Sequence, residues 1–219
     1  MDGVAAVLLQ LPVARLRVAL TFDDGPSPYT EAIADLVAGH GGAGTFFVVG
    51  DRIPGQEPLL RRMVATGHEL GNHTHSHPHC GRLEEAALRD ELTHAQRVIT
   101  EAAGRAPVVV RPPYGEDAER VAVVGADMGL ACILWDVDPI DWRERKVERI
   151  VRRVLDGLHD GAIVDFHDGW PSHHTGIRDR TPTVDALREI LPELVRRGYE
   201  AVTVSAMSAQ PATHTSSSS

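Results

Sequence analysis

Short apolar runs alternate along this chain with amphipathic stretches of helical period. "RVALTF" (Arg17–Phe22) predicts a buried strand, and Thr30–His40 a helix that stops at Gly41-Gly42. "GTFFVV" (Gly44–Val49) predicts a second strand and Glu57–Ala65 a second helix. "HELGNH" comes next, then a long helix over Leu83–Ala103 with Arg89, Glu91 and Arg97 at its polar positions. "PVVVRPP", a helix near Ala118–Met128, "LACILWDV", a helix near Val147–Leu158 and "GAIVDFH" continue the rhythm. A helix over Val184–Arg197 and a final strand in "EAVTVS" complete it. This alternation predicts a parallel sheet with helices outside, either an open doubly wound sheet or a closed barrel.

The polar residues that break the rhythm all fall just past predicted strands. Asp23-Asp24 follows the first strand, and His73, His75, His77 and His79 follow the third. "RPPYG" follows "VVV", "DVDPIDW" follows "CILW", and "HDG" follows "IVDF". Both α/β architectures build their sites at the C-terminal ends of strands. The four histidines stand at every second position, where an extended segment points its side chains the same way, so spacing alone selects no ligand. In "TFDDGP" a turn or helix cap would need one Asp. A pair does more: one carboxylate can ligate a divalent ion while its neighbour takes a proton from the attacking water. Two histidines with one carboxylate would leave coordination positions open for water and substrate.

Composition narrows the partners. The 219 residues carry 42% hydrophobic and 24% charged side chains, the profile of a soluble globular protein. Net charge is -9 with no Lys/Arg-rich run, which argues against nucleic acid and for a neutral or cationic substrate. Cys80 and Cys132 make no disulfide framework and read as packed thiols. "MDGVAAVLLQLPVARLRV" has an acid where a signal peptide needs positive charge, and its apolar stretch is too short to span a membrane. The chain as it stands reads as cytoplasmic, or as secreted if an export signal has been removed. Residues 1–16 read as a lead-in, and 207–219, ending "THTSSSS", as a disordered tail. His173 and His174 in "HDGWPSHHTG" read as solvent loop. Nothing in the sequence bears on oligomeric state.

"TFDDGP", "HTHSH", "RPPYG", "DPIDW" and the histidine of "IVDFHD" resemble, in order, the five motifs of the polysaccharide deacetylases, the NodB-homology family 4 carbohydrate esterases. "HELGNHT", "GTFFVVG" and "RGYEAVTVS" also look like family sequence, so the resemblance runs from Arg17 to Ser205. It implies one distorted (β/α)7-type barrel over residues 17–206, with parallel strands and outer helices. It implies metal-dependent removal of N-acetyl groups from an amino sugar or its chitin- or peptidoglycan-like polymer, releasing acetate. The cofactor implied is one divalent ion, zinc first, with cobalt or nickel as substitutes. The family's second motif is His, Ser or Thr, two variable residues, then His. His73 with His77 and His75 with His79 both fit, and the preceding "GHELGN" favours the first pair.

By the same resemblance, Asp24, His73 and His77 hold the metal and Asp23 is the general base, oriented by Arg111. The Tyr114 backbone N–H helps hold the oxyanion. His167 is the acid that protonates the leaving amine, and Asp141 orients it and raises its pKa. Trp142 is an apolar wall beside the acyl group, and His79 a rim residue. One position departs from the pattern. Relatives carry an aliphatic residue two before the last motif histidine, lining the acetyl pocket, whereas this chain has Asp165. Either the segment is shifted, or Asp165 has a partner, or the acyl group or substrate is unusual, since a buried carboxylate without a partner is costly. Rival readings are an O-acetyl esterase on xylan, a small-metabolite deacetylase or deformylase, and an inactive carbohydrate-binding module. The presence of every motif residue argues against the last.

Overall fold

A computed structural model describes residues 7–8, 16–171 and 178–209. His173, His174, residues 210–219 and most of the lead-in lie outside the described residues. Eight strands form one sheet: β1 (Val7–Leu8), β2 (Arg17–Gly25), β3 (Thr45–Val48), β4 (Glu69–Asn72), β5 (Val109–Val110), β6 (Ala131–Ile133), β7 (Ala162–His167) and β8 (Glu200–Val202). All pairings are parallel, in the order β1-β6-β5-β4-β3-β2-β7, with β8 also on β2. Beyond β6, Val137 bridges Val164 of β7, so among the described residues the curled sheet meets itself through one isolated bridge. Helices α1 (Thr30–Gly39), α2 (Glu57–Ala65), α3 (Glu85–Ala103), α4 (Ala118–Ala126), α5 (Val147–Gly157) and α6 (Thr181–Arg196) connect the strands, and α7 (Val204–Ser208) follows β8. The result is the parallel, helix-wrapped distorted barrel expected.

The two-residue period of the strands sorts their side chains into layers. Val18, Leu20 and Phe22 of β2, Phe46 and Val48 of β3, and Val164 and Phe166 of β7 pack outward against Ile33, Leu60, Val154 and Leu187. Phe22 stacks on Phe46 and Phe166, at 4.7 and 5.7 Å between centroids. The alternate residues Ala19, Phe47, Val109, Ile133 and Ile163 face inward, and Val202, Val204 and Met207 join them in one cluster. Gly71 belongs to this arrangement because a Cβ there would run into the Phe47 ring. A third cluster, which includes Leu88, Leu92, Val121 and Leu130, buries Cys80 and Cys132 as free thiols. Burial pushes both thiols up to about 12.

Towards the strands' C-terminal ends the inward positions turn polar. Thr21 pairs in register with Asp165, and Asp23 with His167. A hydrophobic floor thus carries a polar mouth.

Several boundaries differ from the sequence reading. β2 does not stop at Phe22, because its ladder with β3 and β7 carries on through Asp23. The lead-in contributes β1 to the sheet edge, pairing Val7 with Cys132. α6 begins at Thr181, with a proline in its first turn where a missing N–H costs nothing. "EAVTVS" leaves the sheet after Val202, because the Thr203 side chain accepts from Ala206 N and starts α7. No helix among the described residues is long and apolar enough to cross a membrane.

Candidate active site

On a regular strand Asp23 and Asp24 would point to opposite faces. The β2–β3 register slips between Asp23 and Gly25, which makes Asp24 the bulged residue, with φ 73°. Both carboxylates are consequently buried beside the same imidazole. His73 Nε2 lies 3.7 Å from Asp23 Oδ2 and 3.7 Å from Asp24 Oδ1. His77 Nε2 is 2.9 Å from Asp24 Oδ1. Ligand atoms of Asp24, His73 and His77 all lie within 4.8 Å of one another.

These three residues fit a divalent ion. His73 Nδ1 bonds the Arg111 carbonyl at 2.8 Å, so it is the donor and Nε2 keeps its lone pair toward Asp24. Asp24 Oδ1 is buried and faces both imidazoles, His77 Nε2 at 2.9 Å and His73 Nε2 at 3.7 Å. An anionic oxygen flanked by imidazole nitrogens is a donor set for a cation. Burial works against the Asp24 anion, but His77, His167 and His73 together hold its carboxyl well below the usual range.

The other two histidines go elsewhere. His75 stacks on His94 of α3, with centroids 3.8 Å apart. His79 lies 3.1 Å from Glu116 and stacks on Tyr114. Of the two frames, the one with His73 and His77 meets Asp24. Thr74, His77 and Tyr114, like Asp24, have positive φ. Such backbone persists only where its surroundings over-determine it, and it gathers at working sites.

On one side of this cluster Asp23 Oδ1 accepts from Arg111 Nη1 at 2.9 Å. Arg111 is wholly buried, and a buried cation needs partners for its charge and every donor. Its Nε and Nη2 donate to the carbonyls of Ile133 and Leu134, each at 3.2 Å. Its guanidinium lies over the rings of Phe47 and Trp135, at 4.3 and 5.3 Å. Nη1 also reaches Thr21 Oγ1 and Asp165 Oδ1, both at 2.8 Å. Asp165 thus has the charged partner that its place in the motif left in question. Its side chain turns onto Arg111 and is 4% exposed. Burial, and then the neighbouring Asp23 charge, raise its carboxyl well above the ordinary range.

On the other side His167 Nδ1 bonds Asp141 Oδ1 at 2.8 Å, and His167 N donates to Asp141 Oδ2 at 2.9 Å. Thr183 Oγ1 donates to that same oxygen at 2.7 Å. Burial disfavours the imidazolium, but the carboxylates around it, Asp141 foremost, outweigh it and push His167 up to about 10. Arg180, itself buried, ties the two neighbouring loops together by donating to the carbonyls of Gly169 and Trp142. Asp168 N and Gly169 N both bond Asp23 O, and a Cβ on Gly25 would strike the Asp168 carboxylate, so the first and last motifs pack directly together.

Tyr114 and Trp142 stand at the rim, 44% and 47% exposed. The Tyr114 ring meets His77 edge-on at 4.8 Å, and Arg143 lies over Trp142 at 4.9 Å. Sequence reasoning missed Thr21, Thr183 and Arg180. Thr21 was within reach, being two residues before Asp23 on one strand and so on its face. The other two come from α6 and its lead-in, and no local pattern announces them.

Comparison with known proteins agrees with this geometry. A family profile described as "Polysaccharide deacetylase" matches residues 12–133. A chitooligosaccharide deacetylase from Bradyrhizobium is 44% identical over 189 residues, covering 84% of this chain and 86% of that protein. A peptidoglycan-N-acetylglucosamine deacetylase from Bacillus cereus is 35% identical over 202 residues, covering 91% of each. The solved structure of the peptidoglycan deacetylase PdaC from Bacillus subtilis is 36% identical, with a TM-score of 0.78 over 88% of this chain and 90% of that one. Those matches, on a chain whose five motif segments converge at one barrel mouth, make it a member of the polysaccharide deacetylases, the family 4 carbohydrate esterases.

Proposed function

We propose that this deacetylase removes the acetyl group from N-acetylglucosamine units of a chito-oligosaccharide- or peptidoglycan-like glycan. Hydrolysis of the amide releases acetate and leaves a free amine. The observation that carries the reading is the convergence of three groups at one mouth. The Asp24, His73 and His77 donor set lies between an arginine-held carboxylate, Asp23, and a carboxylate-held imidazole, His167. Relatives of this chain include deacetylases of chito-oligosaccharides and of peptidoglycan.

Asp24, His73 and His77 would hold one divalent ion, with zinc suited to two imidazoles and a carboxylate, and cobalt or nickel able to replace it. When bound, the ion supplies Lewis-acid polarisation of the carbonyl and a lowered pKa for the attacking water. Asp23 takes the proton of that water, and Arg111 keeps its carboxylate aimed. The Tyr114 backbone N–H, set by its left-handed turn, donates to the oxygen that gains charge. His167 gives its proton to the nitrogen as the carbon–nitrogen bond breaks, and Asp141 stabilises the imidazolium before that transfer. Trp142 forms the wall beside the acyl group.

Acetate release from chito-oligosaccharides and from acetylxylan, measured in parallel with added zinc, tests the assignment. Release from the amide substrate with little from the ester is expected. Release confined to acetylxylan would replace the amide reading by an O-acetyl esterase.

A further inference from the structure

Every backbone amide of the turn that carries both imidazoles has a hydrogen-bond partner. His73 N bonds Val48 O at 3.0 Å, Thr74 N bonds Asn72 Oδ1 at 2.9 Å, and His77 N bonds Thr74 Oγ1 at 3.1 Å. The carbonyls of Thr74 and His75 accept from Gly50 N and Asp51 N, at 3.0 and 2.9 Å. The two remaining amides, of His75 and Ser76, both donate to Glu91 Oε2, at 2.9 and 2.8 Å. Ser76 Oγ donates to the other oxygen, Oε1, at 2.7 Å. Glu91 lies on α3, and the same helix grips the turn twice more. Asn72 Nδ2 donates to Leu92 O at 2.9 Å, and His94 carries the stacked His75 ring.

Thr74 and His77 flank the two clamped amides, and both have left-handed backbone, with φ 66° and 59°. A turn with two such residues relaxes unless something outside it fixes its shape. Relaxation would move His77 relative to Asp24 and His73. A charged acceptor on a packed helix, bonded to consecutive amides between the two strained residues, is placed to prevent that.

We propose that Glu91 is a positioning residue for the metal site, holding the turn so that His77 meets Asp24 opposite His73 while touching neither ion nor substrate. This rests on reading Asp24, His73 and His77 as the ligands. A merely structural clamp would lower the melting temperature of the metal-free protein and leave its metal affinity alone. Zinc affinity of the metal-free protein, measured by competition with a chromophoric chelator, distinguishes the two roles. The set is wild type, Glu91→Gln, Glu91→Ala and His73→Ala, with melting temperatures taken with and without zinc. Support of this kind is typically worth about 10- to 100-fold in metal affinity. Glu91→Ala is expected to lose about that much, Glu91→Gln less because it keeps one carbonyl acceptor, and the zinc-induced rise in melting temperature should shrink in step. Wild-type affinity in both Glu91 variants, beside a loss in His73→Ala, overturns the inference alone. Affinity unchanged by His73→Ala overturns the ligand reading and the inference with it. Should Glu91→Ala fail to fold, Glu91→Gln, which keeps the side chain's size, decides.

Discussion

Asp23 and Asp165 meet on one nitrogen: Arg111 Nη1 lies 2.9 Å from an oxygen of the first and 2.8 Å from an oxygen of the second. Thr21 Oγ1 is a third acceptor at 2.8 Å, and its own hydrogen is committed to Val164 O. The nitrogen has two hydrogens for three oxygens, so the buried carboxyls compete for a positive charge that satisfies one more easily than two. Asp165 yields, its carboxyl raised by burial and by Asp23.

Asp165→Asn tests this with an isosteric group that never ionises. A carboxyl whose folded pKa is raised contributes stability fully present below its unfolded value, near 4, and lost as pH rises through the folded value. Wild type should therefore lose melting temperature relative to Asp165→Asn as pH climbs from about 4 to 8, by a few degrees. Because Asp165 faces Arg111, the preference for acetyl over formyl substrates should not change. Parallel melting curves, or an altered acyl preference, would return Asp165 to the pocket wall.

The four histidines separate by partner. His73→Ala and His77→Ala should abolish stoichiometric zinc or cobalt, as read by elemental analysis of dialysed protein. His75→Ala should keep the ion, since that ring stacks on His94, and His79→Ala should keep it too. A chelator should remove activity from wild type, and added zinc or cobalt should restore it. Loss of metal in His75→Ala with retention in His73→Ala would reverse the frame.

The adjacent carboxylates should fail differently. Asp23→Asn removes a proton acceptor but leaves the Arg111 contact and the donor set, so metal content should stay while kcat falls by about 10²-fold or more. Asp24→Asn should weaken metal binding itself, because it removes the anionic charge that faces both imidazoles. Full turnover in Asp23→Asn would remove it as the base.

Why was so much of this legible in the chain? The barrel follows from alternation of strand and helix periods, and the site from polar residues just past strand ends, both local patterns. The exceptions involve direction. Asp24 reaches the mouth through a bulge that "TFDDGP" does not announce, and Asp165 turns to an arginine 54 positions away. Glu91 looked like any polar helix position until the histidine turn was laid across it. Contacts between distant segments decide these cases, and one-dimensional spacing carries no information about them.

His167 gives the last test, because its partners on Asp141 can be removed one at a time. Asp141→Asn deletes the charge that does most to offset the burial of the imidazolium while keeping an acceptor for Nδ1. The pKa of His167 should fall, and with it the basic limb of the pH–rate profile, because the acid must hold its proton to serve the leaving nitrogen. Thr183→Val leaves the charge in place and removes one hydrogen bond to Asp141, so its limb should move less. A bound divalent cation repels the imidazolium, so in the loaded enzyme both limbs lie below about 10, and the difference between variants is the quantity to read. Stability should follow the same sign. A raised histidine pKa contributes stability fully present below about 6.5, and a lowered carboxyl pKa contributes stability present above about 4, so Asp141→Asn should cost most melting temperature between about pH 4 and 6.5. A basic limb that does not move in Asp141→Asn would mean that another group protonates the leaving amine.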